Sequence, residues 1–265
     1  MEWVASVGAA SERGVAYVGG LAEIFGKALR LLVLSPLKRG RMLQRAIYEA
    51  MEVGVRAIPI ISLITFFVGV IIALQGAYEL QRLGAMQIVA SLVAISITRE
   101  LGPLVTAIVV IGRSGSAFAA QIGTMRVTEE LDALEAMALD PVAFLVVPKF
   151  LAMTVMMPCL AIWADLMGVL GGSLFGVIGG GFTFGGYLIA TRDALLMRDV
   201  TSGFIKSLVF GIVITAVGCQ EGFSTGAGAE EVGRSTTSAV VISILMVILI
   251  DLVFTALFYI AKGGA

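Results

Sequence analysis

Arg99, Glu100, Asp165, Lys206 and Asp251 fall inside otherwise apolar stretches of the chain. An ionised side chain at the centre of a bilayer costs about 3 kcal/mol even on the most lenient scales, unless it is paired or reaches water. Such residues mark a substrate path, a gate or an ion-pair network between helices. Arg99 and Glu100 are the clearest candidates. Adjacent residues on a helix do not face one another, so each needs its own partner. Lys206 is the candidate partner for Glu100. Two readings stand for this set: substrate handling or gating, and a purely structural network. Asp165 and Asp251 have no partner visible in the sequence, and structural hydrogen bonding is the preferred role for both.

Other chemistry is thin. The chain has no histidine, which removes Ser-His-Asp and Cys-His catalysis and most zinc chemistry. Arg113-Ser114-Gly115-Ser116 looks superficially like a catalytic or anion-binding loop. No base accompanies it, so Ser114 and Ser116 read as small packing residues in line with Gly112, Gly115, Ala119 and Gly123. Cys159 and Cys219 both lie in apolar stretches and read as buried free thiols. No phosphate-binding loop with its lysine is present. The nearest approach, Gly20 to Lys27, has the wrong spacing and is followed by Ala28. If ATP drives this protein, another chain supplies the ATPase.

The elements that position these residues belong in a membrane. The chain is 58% hydrophobic and 14% charged, with a mean hydropathy of +1.01. Soluble domains carry about 25% charged residues. One core could not hide this much apolar surface, whereas a bilayer can serve as its solvent. A net charge of −1 gives a nucleic-acid partner no support. Glu2, Glu12 and Glu23 interrupt the N-terminal apolar residues, so a cleavable signal peptide is not expected.

The fold class that follows is an all-α integral membrane protein. Residues 1–56 hold Arg13, Lys27, Arg30, Lys38, Arg39, Arg41, Arg45 and Arg56 but no long charge-free run. They read as amphipathic helices in the membrane interface, broken near Ser35-Pro36; a soluble helical cap is the other reading. Residues 57–265 form the transmembrane part, with spans at about 57–77, 86–111, 141–181, 201–219 and 238–260. The second is interrupted by Arg99-Glu100-Leu101-Gly102-Pro103, where proline predicts a kink, and Arg113 marks its cytoplasmic exit. The basic N-terminal flank puts the N-terminus in the cytoplasm, and five spans leave the C-terminus outside. Gly168, Gly172, Gly176 and Gly180 form a small-residue stripe for close helix contact. Residues 182–201 are mixed and lie outside.

A short acidic helix is expected at about 128–139 on the inner face. Thr128 is its N-cap, and Glu129 and Glu130 sit where the helix dipole favours them. Leu131, Leu134 and Ala138 make an apolar stripe, and Asp140-Pro141 stops the helix. Such a helix is something a cytoplasmic ATPase could grip, or an ordinary loop helix.

Several longer motifs then coincide. They are Arg99-Glu100-Leu101-Gly102-Pro103, Gly112-Arg113-Ser114-Gly115-Ser116-Ala117 and Gly123-Thr124-Met125-Arg126-Val127-Thr128-Glu129-Glu130. Asp132-Ala133-Leu134, Asp140-Pro141 and the run from Gly226 to Thr237 followed by Ala239-Val240-Val241 complete them. In this order they resemble the MlaE family of permeases over about residues 40–260. The resemblance implies a phospholipid-moving ABC permease of the bacterial inner membrane that maintains outer-membrane lipid asymmetry. It implies two copies of the chain, a cytoplasmic ATPase dimer, a small STAS-domain protein and a periplasmic hexamer of MCE-domain chains. No cofactor is expected on this chain, and ATP with magnesium would sit on the ATPase. Arg99, Glu100, Leu101 and Lys206, with Leu74 and Tyr78, would then line the lipid cavity. Thr128, Glu129, Glu130, Leu131, Asp132, Leu134 and Glu135 would form the helix that docks into the ATPase. The alternative is an ion-coupled secondary transporter built on the intramembrane charges. Its sign would be inverted repeats, and none is convincing here.

Overall fold

The computed structural model describes residues 19–21, 23, 26–28, 30 and 39–263. The expected break at Ser35-Pro36 lies outside the described residues. The described chain is helical, without a strand among the described residues. Helix α1 runs Arg39–Val53 and turns through a 3-10 segment at Val55–Ala57 into α2, Ile58–Arg82, which starts with a proline in its first turn. Helix α3 covers Met86–Val127 and α5 covers Val142–Ile178. The short α4, Glu130–Ala136, lies between them. Helices α6 at Phe184–Ala194, α7 at Met197–Phe223 and α8 at Ala229–Gly263 complete the order. Among the described residues, five helices are long and apolar enough to cross a membrane: Met42–Arg82, Met86–Val127, Val142–Ile178, Met197–Phe223 and Ala229–Ile260.

Helix α5 runs through the middle. Met153, Met157 and Leu160 on α5 are buried with Ile61 of α2, Ile111 of α3 and Phe210 of α7. Helix α2 approaches α5 backbone to backbone. A Cβ on Gly69 would strike the carbonyl of Gly168, and one on Gly171 would strike the carbonyl of Phe66. Only glycine permits that separation. Trp163 Nε1 donates to Ser62 Oγ at 2.7 Å across the same contact. The expected glycine stripe is used by other neighbours: Gly168 also meets Ile97, and Gly172 and Gly176 meet Tyr187 of α6. Burial pushes the Tyr187 phenol up to about 12. Helix α8 lies at the outside, with Leu245, Ile248 and Leu252 exposed.

The mixed segment 182–201 contains α6 and the start of α7. Thr183 caps α6 by accepting from the Gly186 amide at 3.1 Å, and Tyr187 anchors that helix against α5. Helix α3 continues past Arg113 to Val127. Ahead of Pro103, where a kink is expected, the helix widens: Ile97–Leu101 is a π turn in which the Gly102 amide reaches the Ile97 carbonyl. A second π turn covers Ile111–Gly115. Helix α8 begins at Ala229, ahead of the expected span at 238–260. Cys219 is buried as expected, but Cys159 is exposed on the bundle surface, because its helix turns that face outward.

Thr128 does not cap α4. Its hydroxyl donates back to the Thr124 carbonyl at 3.0 Å, so it closes α3. The N-cap is Glu129, in the left-handed region at φ 59°, and Ala138 beyond the far end is at φ 58°. Each non-glycine residue there costs about 1–2 kcal/mol, so both ends of α4 turn sharply at left-handed residues.

Candidate functional site

The charged residues of the apolar stretches assemble into one cluster. Glu100 rides on the first π turn of α3. Lys206 lies on α7 with a fully buried side chain and donates to Glu100 Oε2. It also donates to Thr255 Oγ1 at 2.8 Å. Its Nζ reaches Asp251 Oδ1 at 2.9 Å as an ion pair. The Thr255 hydroxyl lies 3.1 Å from Glu100 Oε1 and donates to it. One ammonium therefore meets two carboxylates and a hydroxyl from α3 and α8, joining those two helices to α7. The arrangement answers the cost of burying an ammonium, which is severe without a paired and hydrogen-bonded counter-charge.

Arg99 turns away from its neighbour. Its Nε lies 3.6 Å from Asp199 Oδ1, and its side chain stays 32% exposed while that of Asp199 is 9% exposed. Asp199 Oδ2 also accepts from the Leu196 amide at 3.2 Å, which closes the start of α7. The guanidinium thus has a fixed anchor on one side and open donors on the other. Leu101 packs at the edge of the apolar cluster of Val93 and Ile97. Leu74 and Tyr78 lie on the exposed face of α2, where Arg82 donates to the Tyr78 hydroxyl at 2.5 Å. The structure brings Glu100 to Lys206 and Arg99 to their shared neighbour helix α7.

Sequence reasoning missed Asp251, Thr255 and Asp199 as members. Asp251 and Thr255 are four apart on one helix and so share a face, which was the available signal. Asp165 differs from its expected hydrogen-bonding role. Its Oδ1 is buried against Gly102 without a hydrogen-bond partner. Among the described residues no group of acids and cysteines is placed to hold a metal ion.

At the other end of the bundle, α4 presents an acidic outer face. Glu129, Glu130, Asp132 and Glu135 are exposed, while Leu131 and Leu134 are buried in a cluster with Leu145, Val146 and Phe150. The helix is thus fixed by its apolar side and offers its charged side.

Known proteins share this chain's pattern over most of its length. A family model described as permease MlaE matches residues 46–257. A probable ABC transporter permease protein of Rickettsia prowazekii is 39% identical over 236 residues, covering 89% of this chain and 91% of the relative. The intermembrane phospholipid transport system permease protein MlaE of Haemophilus influenzae is 37% identical over 207 residues, 78% of this chain and 79% of that one. The chloroplastic protein TRIGALACTOSYLDIACYLGLYCEROL 1 of Arabidopsis thaliana is 34% identical over 234 residues, 88% of this chain and 67% of that protein. With five membrane-length helices and this coverage, the chain belongs to the MlaE permease family and is a multi-pass ABC transporter permease.

Proposed function

We propose that this permease moves phospholipid, driven by an ATPase docked on α4. The observation that carries the reading is the pairing of two features at opposite ends of one bundle. At one end, an anchored but part-exposed Arg99 stands beside the Glu100–Lys206–Asp251 cluster. At the other, α4 offers four acids on a rigid apolar footing. A guanidinium held on one side by Asp199 suits a phosphate approaching from the other. Apolar side chains such as Leu74 and Leu101 suit acyl chains. The name of the Haemophilus relative supports a phospholipid cargo.

The assembly we propose contains two copies of this chain and a cytoplasmic ATPase dimer. A small STAS-domain protein and a periplasmic MCE-domain hexamer complete it. The ATPase would carry the ATP and magnesium. Lys and Arg crowd residues 1–56, which favours a cytoplasmic N-terminus. That orientation puts α4 in the cytoplasm, the charged cluster toward the periplasm and the C-terminus outside, in a bacterial inner membrane.

The experiment is gentle purification from native membranes followed by native mass spectrometry and reconstitution into liposomes. Two copies with an ATPase and bound phospholipid, and ATP-dependent transfer of a labelled phospholipid, are the expected results. Arg99→Ala should reduce transfer without loss of assembly. A chain that carries no ATPase and whose flux follows an ion gradient would overturn the reading in favour of a secondary transporter.

A further inference from the structure

A second buried cation lies at the α4 end of the bundle. Lys149, near the start of α5, is 1% exposed. Its Nζ donates to Glu49 Oε1 of α1 at 2.6 Å and to Gln121 Oε1 of α3 at 2.8 Å. It also lies 4.6 Å from the centre of the Phe118 ring. Three helices therefore meet on one ammonium. A buried ion pair gains little stability over an apolar set of the same volume. What it adds is register, because hydrogen bonds have direction and apolar contacts do not.

The three helices joined by Lys149 are also tied to α4. Gln121 lies in the final turns of α3, just ahead of α4. Leu131 and Leu134 of α4 press on Leu145, Val146, Val147 and Phe150, the residues that flank Lys149 on α5. Beside the ammonium, a cavity of about 460 Å³ opens between α1 and α5, lined by Gln44, Arg45, Tyr48, Glu49, Phe144 and Pro148. Glu49 and Gln121, the two partners of Lys149, both line this cavity, so the polar tie stands at its wall. Helix α1 continues through Val55–Ala57 into α2, whose far end carries Leu74 and Tyr78.

We propose that Lys149 is a positioning residue that transmits displacement of α4 to α1 and α2 through Glu49 and Gln121. The inference rests on α4 being the ATPase-docking element. Apolar packing alone would let α1 slide over α5 as α4 moves. The three-way tie makes the two move together.

The test uses the whole complex in liposomes and reads ATP hydrolysed per phospholipid transferred. The double variant Glu49→Leu with Lys149→Met removes both charges at similar volume. It should assemble and hydrolyse ATP at close to the original rate, while the ATP consumed per lipid rises about ten-fold, in the range of ordinary coupling energies. Gln121→Leu, at an exposed position that does not threaten folding, should raise the same ratio about three-fold. An unchanged ratio in Gln121→Leu, or in an assembled double variant, overturns the inference. If the unsubstituted complex binds no ATPase or transfers no lipid, the docking reading itself fails. A coupled parent with equally coupled variants sinks only the role of Lys149.

Discussion

Lys206 and Asp251 meet at 2.9 Å across α7 and α8, and the same ammonium holds Glu100 of α3. The lysine is the only cation of the pair of contacts, and its side chain is fully buried. Removing it leaves two carboxylates facing each other. Lys206→Met should therefore destabilise the folded chain by about 3–5 kcal/mol. Thr255→Val removes one hydroxyl from the network and should cost about 1 kcal/mol. The check is heat-induced loss of the monodisperse species in detergent, followed for both variants. Equal midpoints for Lys206→Met and the parent would show that the network carries no fold stability.

The glycine contacts allow a sharper contrast. Gly69→Ala and Gly171→Ala each drive a methyl group into a backbone carbonyl of the facing helix, and a backbone in mid-helix cannot swing aside. Overpacking of this kind costs about 1–3 kcal/mol, sometimes more. Gly112 faces open space. There alanine should be tolerated or should stabilise by up to about 1 kcal/mol through helix propensity. Expression level and thermal midpoint of the three variants, measured side by side, decide it.

These contrasts show which features are legible in the sequence. The five membrane-length helices are, because an apolar run needs no partner to be recognised. Arg99, Glu100 and Lys206 are, because a charge in an apolar run is conspicuous. Their pairing is less so. Glu100 meets Lys206 as expected, yet Asp251 joins them only because α8 packs on α7 in a particular register, and register between distant helices leaves no local trace. The π turns at Ile97–Leu101 and Ile111–Gly115 hide for a different reason. Proline predicts a kink, but its residue type does not say that the helix takes this up by widening by one residue and continuing. Thr128 reads as a cap because its residue type suits one, while the left-handed Glu129 that fills the position is a conformation its type disfavours.

Arg113 supplies a prediction at the junction of α1 and α2. Its guanidinium donates to the carbonyls of Glu52 at 2.8 Å and Val53 at 3.2 Å. Those are end carbonyls of α1, which have no partner within their own helix. Hydrogen bonds to a charged group contribute about 1.5–3 kcal/mol. Arg113→Gln should therefore speed amide hydrogen exchange across the junction of α1 and α2, at residues 50–57, with little change in the middle of α5. Arg113→Lys should behave similarly, since an ammonium is a poor match for two carbonyls spanned by a guanidinium fork. Unaltered exchange at the junction would show that packing of Gly54 against Met156 holds it unaided.

Asp199 performs two tasks that substitution can separate. One oxygen anchors Arg99 at 3.6 Å, and the other accepts the Leu196 amide at the start of α7. Asn keeps an acceptor for the amide and loses the charge. Asp199→Asn should therefore leave the thermal midpoint close to that of the parent, because the helix start stays satisfied. It should reduce phospholipid transfer by a larger factor, because Arg99 loses the counter-charge that orients it. Asp199→Ala should lose both, with a stability cost of about 1 kcal/mol for the missing cap. If Asp199→Asn transfers lipid normally, the aspartate serves only the fold and the guanidinium is positioned by packing. If transfer falls while stability holds, the charge pair orients Arg99 for its ligand, and the ligand is the next thing to vary: a phosphate-bearing headgroup against a neutral one.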